Sequence, residues 1–546
     1  MVVMCASRAF AIPFYILISD MLVAGAAGAA QCAVLADHST FITTDVEVGT
    51  PGQWFSVIVD TGSNALTVPS CECVKLGFCD NESRCFEGNR SSSFVVQPGP
   101  YGVPPSIKMV FGSGPVFASV TSELVQVGGI PANMQDSLYL ITGHALDIES
   151  QFEGILGMGL PFAYQLPNTG SDGHQIFVSS SEPRTATPPD FLGMQVTSHA
   201  SLIQRARGVN SQVVIGSASA NATGVEIHGF AEKAGVQRVA ICLKNEAPGV
   251  MNFQPPPAAL SHGSVGRLHW GLDFRGVSVG NASVPVAFCT DQEIGGTRTS
   301  PCGAMVDTGS TSIRAPGKHI GTLYQQICDA WPRCAANYTA VMAQADPNML
   351  KNPQMTKGLV FKELLFECKA WWVEGVGLDE LPKLYFNVRG AGGTSQSLEL
   401  HGWSYVVEQV AVPEESEEGQ ETSSAPQTEC VPAFRPIEYN TDANGPVWVF
   451  GMPLFYEYQV SFDHASWPPG LSFDDVECSP CQEPSAVSVT QSRGRTEQGH
   501  ETQRPSDSQL FSASSSSRHA TVLGGRRPRR VIGKFREPYV DVTKPL

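Results

Sequence analysis

A duplicated strand-and-turn motif constrains this chain more than any other feature of its sequence. Val57-Ile58-Val59-Asp60-Thr61-Gly62-Ser63 recurs as Ala304-Met305-Val306-Asp307-Thr308-Gly309-Ser310. Each copy has an apolar partner further along the chain, Gly154-Ile155-Leu156-Gly157 for the first and Trp448-Val449-Phe450-Gly451 for the second. A single Asp-Thr-Gly sequence is an ordinary turn, whereas two copies with equivalent partners indicate an internal repeat. The sequence therefore predicts two related lobes rich in short β-strands.

The residue types in the repeat suit one kind of chemistry. An aspartate that follows a buried strand is held at the floor of a cleft, and glycine makes the turn without a Cβ. Each threonine hydroxyl can bond the backbone of the other copy, and Ser63 and Ser310 are placed to donate to the outer carboxylate oxygens. Because two adjacent carboxylates cannot both ionise cheaply, Asp60 and Asp307 would share one proton. One could then take a proton from water while the other protonates a substrate carbonyl, which hydrolyses a peptide bond without a metal or a covalent intermediate.

These motifs resemble the pepsin-like family of eukaryotic aspartic proteases over about residues 39 to 473. Other segments that carry the resemblance are Val48-Gly49-Thr50-Pro51-Gly52-Gln53, Val68-Pro69, Val125-Gln126-Val127-Gly128-Gly129, Phe152-Glu153, Val213-Val214-Ile215-Gly216, Leu268-His269-Trp270-Gly271-Leu272, Cys302-Gly303 and Val460-Ser461-Phe462-Asp463. The resemblance implies an all-β, bilobal fold with the active site in the cleft between the lobes.

The resemblance also assigns roles to the repeat. Asp60 and Asp307 become the catalytic pair, and the supporting residues are Thr61, Gly62, Ser63, Thr308, Gly309 and Ser310. It implies an acid-active endopeptidase that acts on peptides or proteins, without a metal or other cofactor. Both aspartates come from one chain, so catalysis needs no dimer and we expect a monomer.

The segment expected to cover the substrate departs from the family pattern. Counting sixteen residues back from Val127, the spacing that the family requires, leads to Phe111, followed by Gly112 and Gly114, where most active members have tyrosine. Thr67 stands where the family usually has tryptophan, so both partners of the usual hydrogen bond are replaced together. We expect weaker catalysis or altered specificity from this change.

The start of the chain predicts its compartment. Arg8, an apolar run to Val23 and the small residues Ala26 to Ala30 form the pattern of a secretory signal over residues 1–29, and Asp20 favours a cleaved signal over a retained anchor. We therefore expect a protein of the secretory pathway, either secreted or in an acidic endomembrane compartment. Five Asn-x-Ser/Thr triplets are candidate glycosylation sites: Asn81, Asn89, Asn221, Asn281 and Asn337.

That compartment favours disulfides for the fourteen cysteines beyond the signal. The close group Cys71, Cys73, Cys79 and Cys85 would suggest zinc in a cytosolic protein, but here disulfides are favoured. Family resemblance implies the pairs Cys289–Cys302 and Cys368–Cys430, and Cys328 and Cys334 are near enough in sequence to pair. The cysteine-rich insertion and the large second lobe resemble nepenthesin-like and β-secretase-like members more than gastric pepsin. The sequence does not assign four cysteines: Cys32, Cys242, Cys478 and Cys481.

Charge and composition divide the chain into a body and a tail. The net charge is −17, but residues 482–546 carry eleven Lys/Arg against six acids, a net of +5, which leaves −22 on residues 1–481. The acidic body argues against nucleic acid or an anionic membrane as the main partner. We predict lobes at residues 30–225 and 226–481 and a disordered, basic, Ser/Arg-rich tail at residues 482–546. The run Arg526-Arg527-Pro528-Arg529-Arg530 is interpreted as a processing site, an anion-binding patch or a solvated appendage.

A second reading is a binding protein that kept this fold and lost its activity. Phe111 favours it, as does the short stretch between Ala30 and the first strand near Phe41, where the family has a basic prosegment. Either zymogen inhibition is absent or the start of the sequence is truncated. The complete Asp-Thr-Gly-Ser signature in both halves favours the enzyme.

Overall fold

The computed structural model describes residues 31–80, 84–98, 104–111, 114–146, 153–161, 227–245, 247–280, 285–344, 353–372, 376–410, 428–481, 528–532, 535 and 545–546. The predicted signal, the predicted lobe boundary at residues 225 and 226, Gly112 and most of the predicted tail lie outside these ranges.

Short strands separated by turns dominate the first half of the described chain. Its strands are β1 (Cys32–Asp37), β2 (Ile42–Val48), β3 (Gln53–Asp60), β4 (Leu66–Pro69), β5 (Ser106–Phe111), β6 (Gly114–Thr121), β7 (Leu124–Val127), β8 (Ile130–Asn133), β9 (Leu138–His144) and β10 (Ile155–Gly157). β2 and β3 pair antiparallel over six residues, and buried and partly exposed side chains alternate at the start of β3. Its last four residues are all buried, so Asp60 ends a strand that is covered on both faces.

The second half repeats this pattern and adds helices. Its strands are β11 (Arg238–Lys244), β12 (Ala247–Phe253), β13 (His262–Gly263), β14 (Gly271–Val279), β15 (Cys302–Val306), β16 (Ile313–Ala315), β17 (Leu384–Arg389), β18 (Ser395–Leu400), β19 (Val406–Val410), β20 (Thr428–Pro432), β21 (Phe434–Pro436), β22 (Asn440–Thr441), β23 (Gly445–Phe450), β24 (Gln459–Asp463), β25 (Gly470–Asp474) and β26 (Arg529–Ile532).

Helices are short in the first half and longer in the second. The α-helices are α1 (Cys71–Lys75), α2 (Phe230–Lys233), α3 (Gly317–Ala330), α4 (Pro332–Gln344), α5 (Pro353–Phe366), α6 (Cys368–Trp371), α7 (Gly402–Tyr405) and α8 (Met452–Glu457), and 3₁₀ turns lie at Gly88–Arg90, Asp291–Glu293 and Gly377–Glu380. Helix α3 buries Ile320, Leu323 and Ile327 at helical spacing against the core. No helix in the described ranges is long and apolar enough to cross a membrane.

Two large sheets hold the repeat. One has fifteen strands in the order β13-β25-β24-β11-β12-β1-β2-β3-β10-β4-β9-β6-β5, with β7 joined to β2 and β8. The other has eight, in the order β18-β17-β14-β15-β23-β16-β21, with β22 joined to β23. In each sheet the strand that enters an Asp-Thr-Gly-Ser turn pairs in parallel with its predicted partner, β3 with β10 and β15 with β23. The predicted fold, all-β and bilobal with two related halves, is confirmed.

Disulfides join all fourteen cysteines of the body. The three pairs expected in the second half are present: Cys289–Cys302, Cys328–Cys334 and Cys368–Cys430. The close group near the first turn pairs as Cys71–Cys85 and Cys73–Cys79. The four unassigned residues form Cys32–Cys481 and Cys242–Cys478, which tie the end of the body to strands β1 and β11.

Part of the predicted disordered tail is folded, and the prediction is wrong for Arg529–Ile532. These residues form β26, which pairs in parallel with β19. Arg529 and Val531 are buried, whereas Arg530 and Ile532 are exposed. This is the period-two alternation of a half-buried strand. A four-residue pattern is too short to be recognised in the sequence of a segment dominated by serine and arginine.

Candidate active site

The two predicted aspartates occupy matching environments. Ser63 Oγ donates to Asp60 Oδ2 at 2.6 Å, and the Gly62 N–H donates to Asp60 Oδ1 at 3.0 Å. In the other half, Ser310 Oγ donates to Asp307 Oδ2 at 2.6 Å, and the Gly309 N–H donates to Asp307 Oδ1 at 2.8 Å. Each turn therefore fixes one carboxyl group through a serine on the outer oxygen and a glycine amide on the inner one.

The inner oxygens of the two carboxyl groups face each other. A Cβ placed on Gly62 would lie 2.8 Å from Asp307 Oδ1 and 3.1 Å from Asp60 Oδ1, so both oxygens adjoin the same point. Both carboxyl groups are buried, with residue exposures of 1% and 0%. Burial raises the pKa of Asp307 well above its ordinary value of 3.8, and the neighbouring charge of Asp60 raises it further, against hydrogen bonds from Ser310 and Gly309. This arrangement favours a pair that holds one proton between its two members.

The threonines of the two turns cross between the halves. The Thr61 N–H donates to Thr308 Oγ1 at 3.0 Å, and the Thr308 N–H donates to Thr61 Oγ1 at 3.0 Å. Each hydroxyl in turn donates to a carbonyl before the opposite aspartate, Thr61 to Val306 at 3.1 Å and Thr308 to Val59 at 2.8 Å. Four buried hydrogen bonds thus lock the two turns in a fixed relation, as the sequence predicted from residue type.

Two residues of the second half, which the sequence analysis named within a segment of the resemblance but gave no role at the site, also reach the first turn. His269 Nδ1 lies 3.1 Å from the Gly62 carbonyl, and Trp270 Nε1 donates to the Met158 carbonyl at 3.0 Å. Because a carbonyl oxygen only accepts, Nδ1 of His269 carries the proton in this contact. The Met158 N–H bonds the carbonyl of Asp60 at 2.8 Å. A polar residue beside a tryptophan just before β14 was the available signal, but sequence alone does not show that both side chains point across the cleft.

The predicted covering segment forms a hairpin beside the first turn. Phe111, the last residue of β5, pairs with Gly114 at the start of β6, and Gly112 lies outside the described residues. Phe111 is buried in a hydrophobic cluster with Ile58 and Ala65, which flank the Asp60 turn in sequence. Thr67 takes a different role from the tryptophan that it replaces, because its hydroxyl accepts the Ile155 N–H at 3.1 Å.

Residues of the described chain that could hold a metal are few. Cys289, Cys302 and His319 offer ligand atoms within 4.8 Å of one another. However, the two sulfurs are joined in a disulfide, which removes the thiolates that a metal would need.

A buried histidine behind Trp270 makes the stability of the fold depend on pH. Both ring nitrogens of His464 are buried and have no hydrogen-bond partner within the part of the chain that the structure describes, and the ring packs edge-on against Trp270 at 5.1 Å. Burial lowers the pKa of His464 from 6.5 to about 4, against the nearby charge of Asp463. Between these two values the unfolded chain binds a proton that the folded chain does not, so stability is lost as pH falls through this window.

His464→Phe is therefore expected to remove a pH-dependent loss of about 3 kcal/mol between pH 6.5 and pH 4. Phenylalanine keeps a ring against Trp270 but cannot bind the proton. Urea unfolding at pH 7, 5.5 and 4 measures the difference between the variant and the parent chain. Some slope should remain, because burial also lowers the pKa of His38, His144 and His319. A variant that keeps the whole slope of the parent would refute a role for His464.

Comparison with known proteins places these features in context. Residues 42–171 match the family model described as eukaryotic aspartyl protease. Procardosin-A of Cynara cardunculus is 30% identical over 150 residues, which cover 26% of this chain and 28% of that protein. Renin of Echis ocellatus is 20% identical over 420 residues, which cover 77% of this chain and 76% of that renin. Renin-2 of Mus musculus is 32% identical over 117 residues, which cover 21% of this chain and 28% of that protein. The chain therefore spans less than a third of the length of the two relatives that are at least 30% identical to it, procardosin-A and renin-2.

Proposed function

We propose that the chain is a member of the pepsin-like family of eukaryotic aspartyl proteases and acts as an aspartic endopeptidase, with Asp60 and Asp307 as its catalytic pair. One observation carries this proposal. Each aspartate is held by a serine and a glycine amide in the same geometry, and the two turns are cross-bonded by their threonines. Such matched fixation positions the carboxyl groups before substrate arrives.

The proposed reaction uses the shared proton. A water molecule between the inner oxygens gives a proton to the ionised carboxylate as it attacks the peptide carbonyl. The protonated carboxyl group gives its proton to the carbonyl oxygen, which produces a tetrahedral diol without a covalent bond to the enzyme. Ser63 and Ser310 hold the outer oxygens, so that the inner oxygens stay aimed at the water. When the diol collapses, the carboxyl group that took the proton from water gives it to the leaving nitrogen, and a diol hydroxyl returns its proton to the other carboxylate, which restores the shared proton.

The remaining parts of the proposal concern substrate and setting. The cleft between the lobes would take a peptide of several residues as an extended strand, with the hairpin that contains Phe111 and Gly114 over it. We propose that the enzyme works as a monomer, in the secretory pathway or outside the cell, at acidic pH. The alternative, a binding protein without activity, is less favoured because both Asp-Thr-Gly-Ser turns keep every residue and their hydrogen bonds.

A direct test is cleavage of internally quenched peptides with apolar residues on both sides of the central bond, measured from pH 3 to pH 8. We expect cleavage at acidic pH, where the pair holds its shared proton, and a fall in rate as the pH rises through the raised pKa of Asp307 and the pair loses that proton. A metal chelator should leave the rate unchanged. Cleavage that the chelator abolishes, or that keeps rising through pH 8, would contradict the proposal.

A further inference from the structure

The folded part of the tail places an arginine between the two halves of the molecule. Arg529 Nη1 donates to the Ser39 carbonyl at 2.6 Å, and Nη2 donates to the Thr311 carbonyl at 3.3 Å. Its guanidinium lies 4.7 Å from the ring centre of Tyr456. Only 3% of the residue is exposed, although arginine is usually a surface residue.

The surroundings suit a buried guanidinium. Taking the charge out of water is costly unless hydrogen bonds and nearby negative charge compensate. Here two carbonyl dipoles accept its N–H groups, and the face of Tyr456 supplies a cation–π contact. The Tyr456 hydroxyl donates to the carboxylate of Asp37, which brings negative charge to the far side of the ring. These groups contact both terminal nitrogens and the face of the guanidinium, whereas Nε is buried without a hydrogen-bond partner among the described residues.

Strand pairing holds the same segment along its length. β26 adds to the edge of β19 in parallel, with Val407 opposite Arg529 and Val410 opposite Ile532. The buried side chain of Val531 packs in a small cluster with Val407. This is strand addition to a sheet edge, in which the backbone supplies affinity and side-chain pockets supply specificity. Arg530, the neighbour of Arg529, faces outward and makes a surface ion pair with Glu408 at 3.7 Å.

The docked residues of the tail flank the strand and turn that carry Asp307. Thr311, which accepts Arg529, lies four residues after Asp307 in the same loop. On the other side, Leu546 is buried in a cluster with Met305, two residues before Asp307, and its carbonyl accepts the Arg267 N–H at 2.6 Å. Residues of the tail therefore contact residues that precede and follow the candidate catalytic aspartate in sequence.

We propose that the tail is an intramolecular ligand of the cleft, held by Arg529 in a guanidinium-binding site between the lobes, and that it competes with peptide substrates. The inhibitory part of this inference rests on the proposed function, whereas the binding site does not. Charge supports the pairing, because a segment with a net charge of +5 docks on a body of −22. The buried position of Arg529 also argues against a solvated appendage.

The test uses the full chain with a site-specific protease sequence inserted between Gln498 and Gly499. After cleavage, size-exclusion chromatography and mass spectrometry measure how much of the released tail stays bound to the body. We expect the tail to co-elute at low salt and to dissociate at least about tenfold faster in Arg529→Gln. Arg529→Lys, which keeps the charge but loses the planar fork, should fall between the two. Arg530→Gln is the matched control and should behave like the parent chain.

The outcomes separate binding from inhibition. Immediate loss of the parent tail, or equal retention in Arg529→Gln and Arg530→Gln, would overturn the binding site. Peptide cleavage by the same samples should rise at least about fivefold when the tail leaves, and an active enzyme whose rate does not change would overturn the inhibitory role. If no sample cleaves any peptide, the proposed function fails, and tail retention alone decides the site.

Discussion

Replacing Asp307 with asparagine is expected to lower peptide cleavage by a factor of about 10³ or more while leaving the fold intact. The amide has almost the same shape: its oxygen can accept the Gly309 N–H, and the Ser310 hydroxyl can turn to accept from its NH2 group. It cannot hold the shared proton or take one from water. Asp60→Asn should have an effect of the same order, because the two environments match.

The rate of quenched-peptide cleavage, at the pH where the parent chain is fastest, measures the loss. Asp475→Asn, which changes an exposed aspartate, is the matched control and should keep the parent rate. Circular dichroism should show the same spectrum for the parent chain and all three variants. Parent-like cleavage by either dyad variant would rule out the assignment of the catalytic pair.

The same variant carries a stability signature with a definite sign. Burial and the neighbouring carboxyl raise the pKa of Asp307 in the folded state above its ordinary value. Protonated Asp307 therefore contributes fully to stability below its ordinary pKa. This contribution is lost as the pH rises through the folded pKa, because the unfolded chain ionises the group more easily. Asp307→Asn should gain stability relative to the parent chain between pH 4 and pH 7.5, as measured by urea unfolding. This gain would be absent if the carboxyl group were an ordinary, solvated one.

Local sequence was enough to predict the centre of the molecule. A strand of apolar residues that leads into Asp-Thr-Gly-Ser predicts a buried carboxyl group. The serine three residues after the aspartate is close enough to donate to the outer oxygen of that carboxyl group. The repeat also predicted that β3 and β15 have equivalent partners, which are β10 and β23, whereas the parallel direction of both pairs is known only from the structure. These predictions depend on neighbours within a few residues or on internal symmetry.

Features that depend on distant partners could not be predicted in this way. The pairing of Cys32 with Cys481 joins residues 449 apart, and no spacing rule connects them. Arg529 lies in a run of arginines whose composition indicates a solvated segment, and its burial depends on carbonyls near residues 39 and 311. His269 acts across the cleft on Gly62, which is 207 residues away. In each case the decisive interaction is a tertiary contact that leaves no local pattern.

Gly309→Ala is expected to reduce cleavage by about 100-fold or more, although it replaces no titratable residue. The Cβ of alanine would lie 2.5 Å from Asp60 Oδ1 and 3.0 Å from Asp307 Oδ1, nearer than such atoms approach one another. The turn or the carboxyl groups must move, which costs about 1–3 kcal/mol of stability and misaligns the inner oxygens. Gly62→Ala should be somewhat milder, since its nearest carboxylate oxygen is 2.8 Å away.

Gly321→Ala provides the matched control for this effect. This glycine lies within helix α3, where an added Cβ meets nothing within 4 Å. Alanine should therefore keep the parent rate and raise the unfolding free energy by up to about 1 kcal/mol. Comparing kcat and KM of the two variants distinguishes a steric effect at the dyad from a general cost of added methyl groups. If Gly309→Ala kept the parent kcat, the two carboxyl groups could not need the close approach that glycine allows.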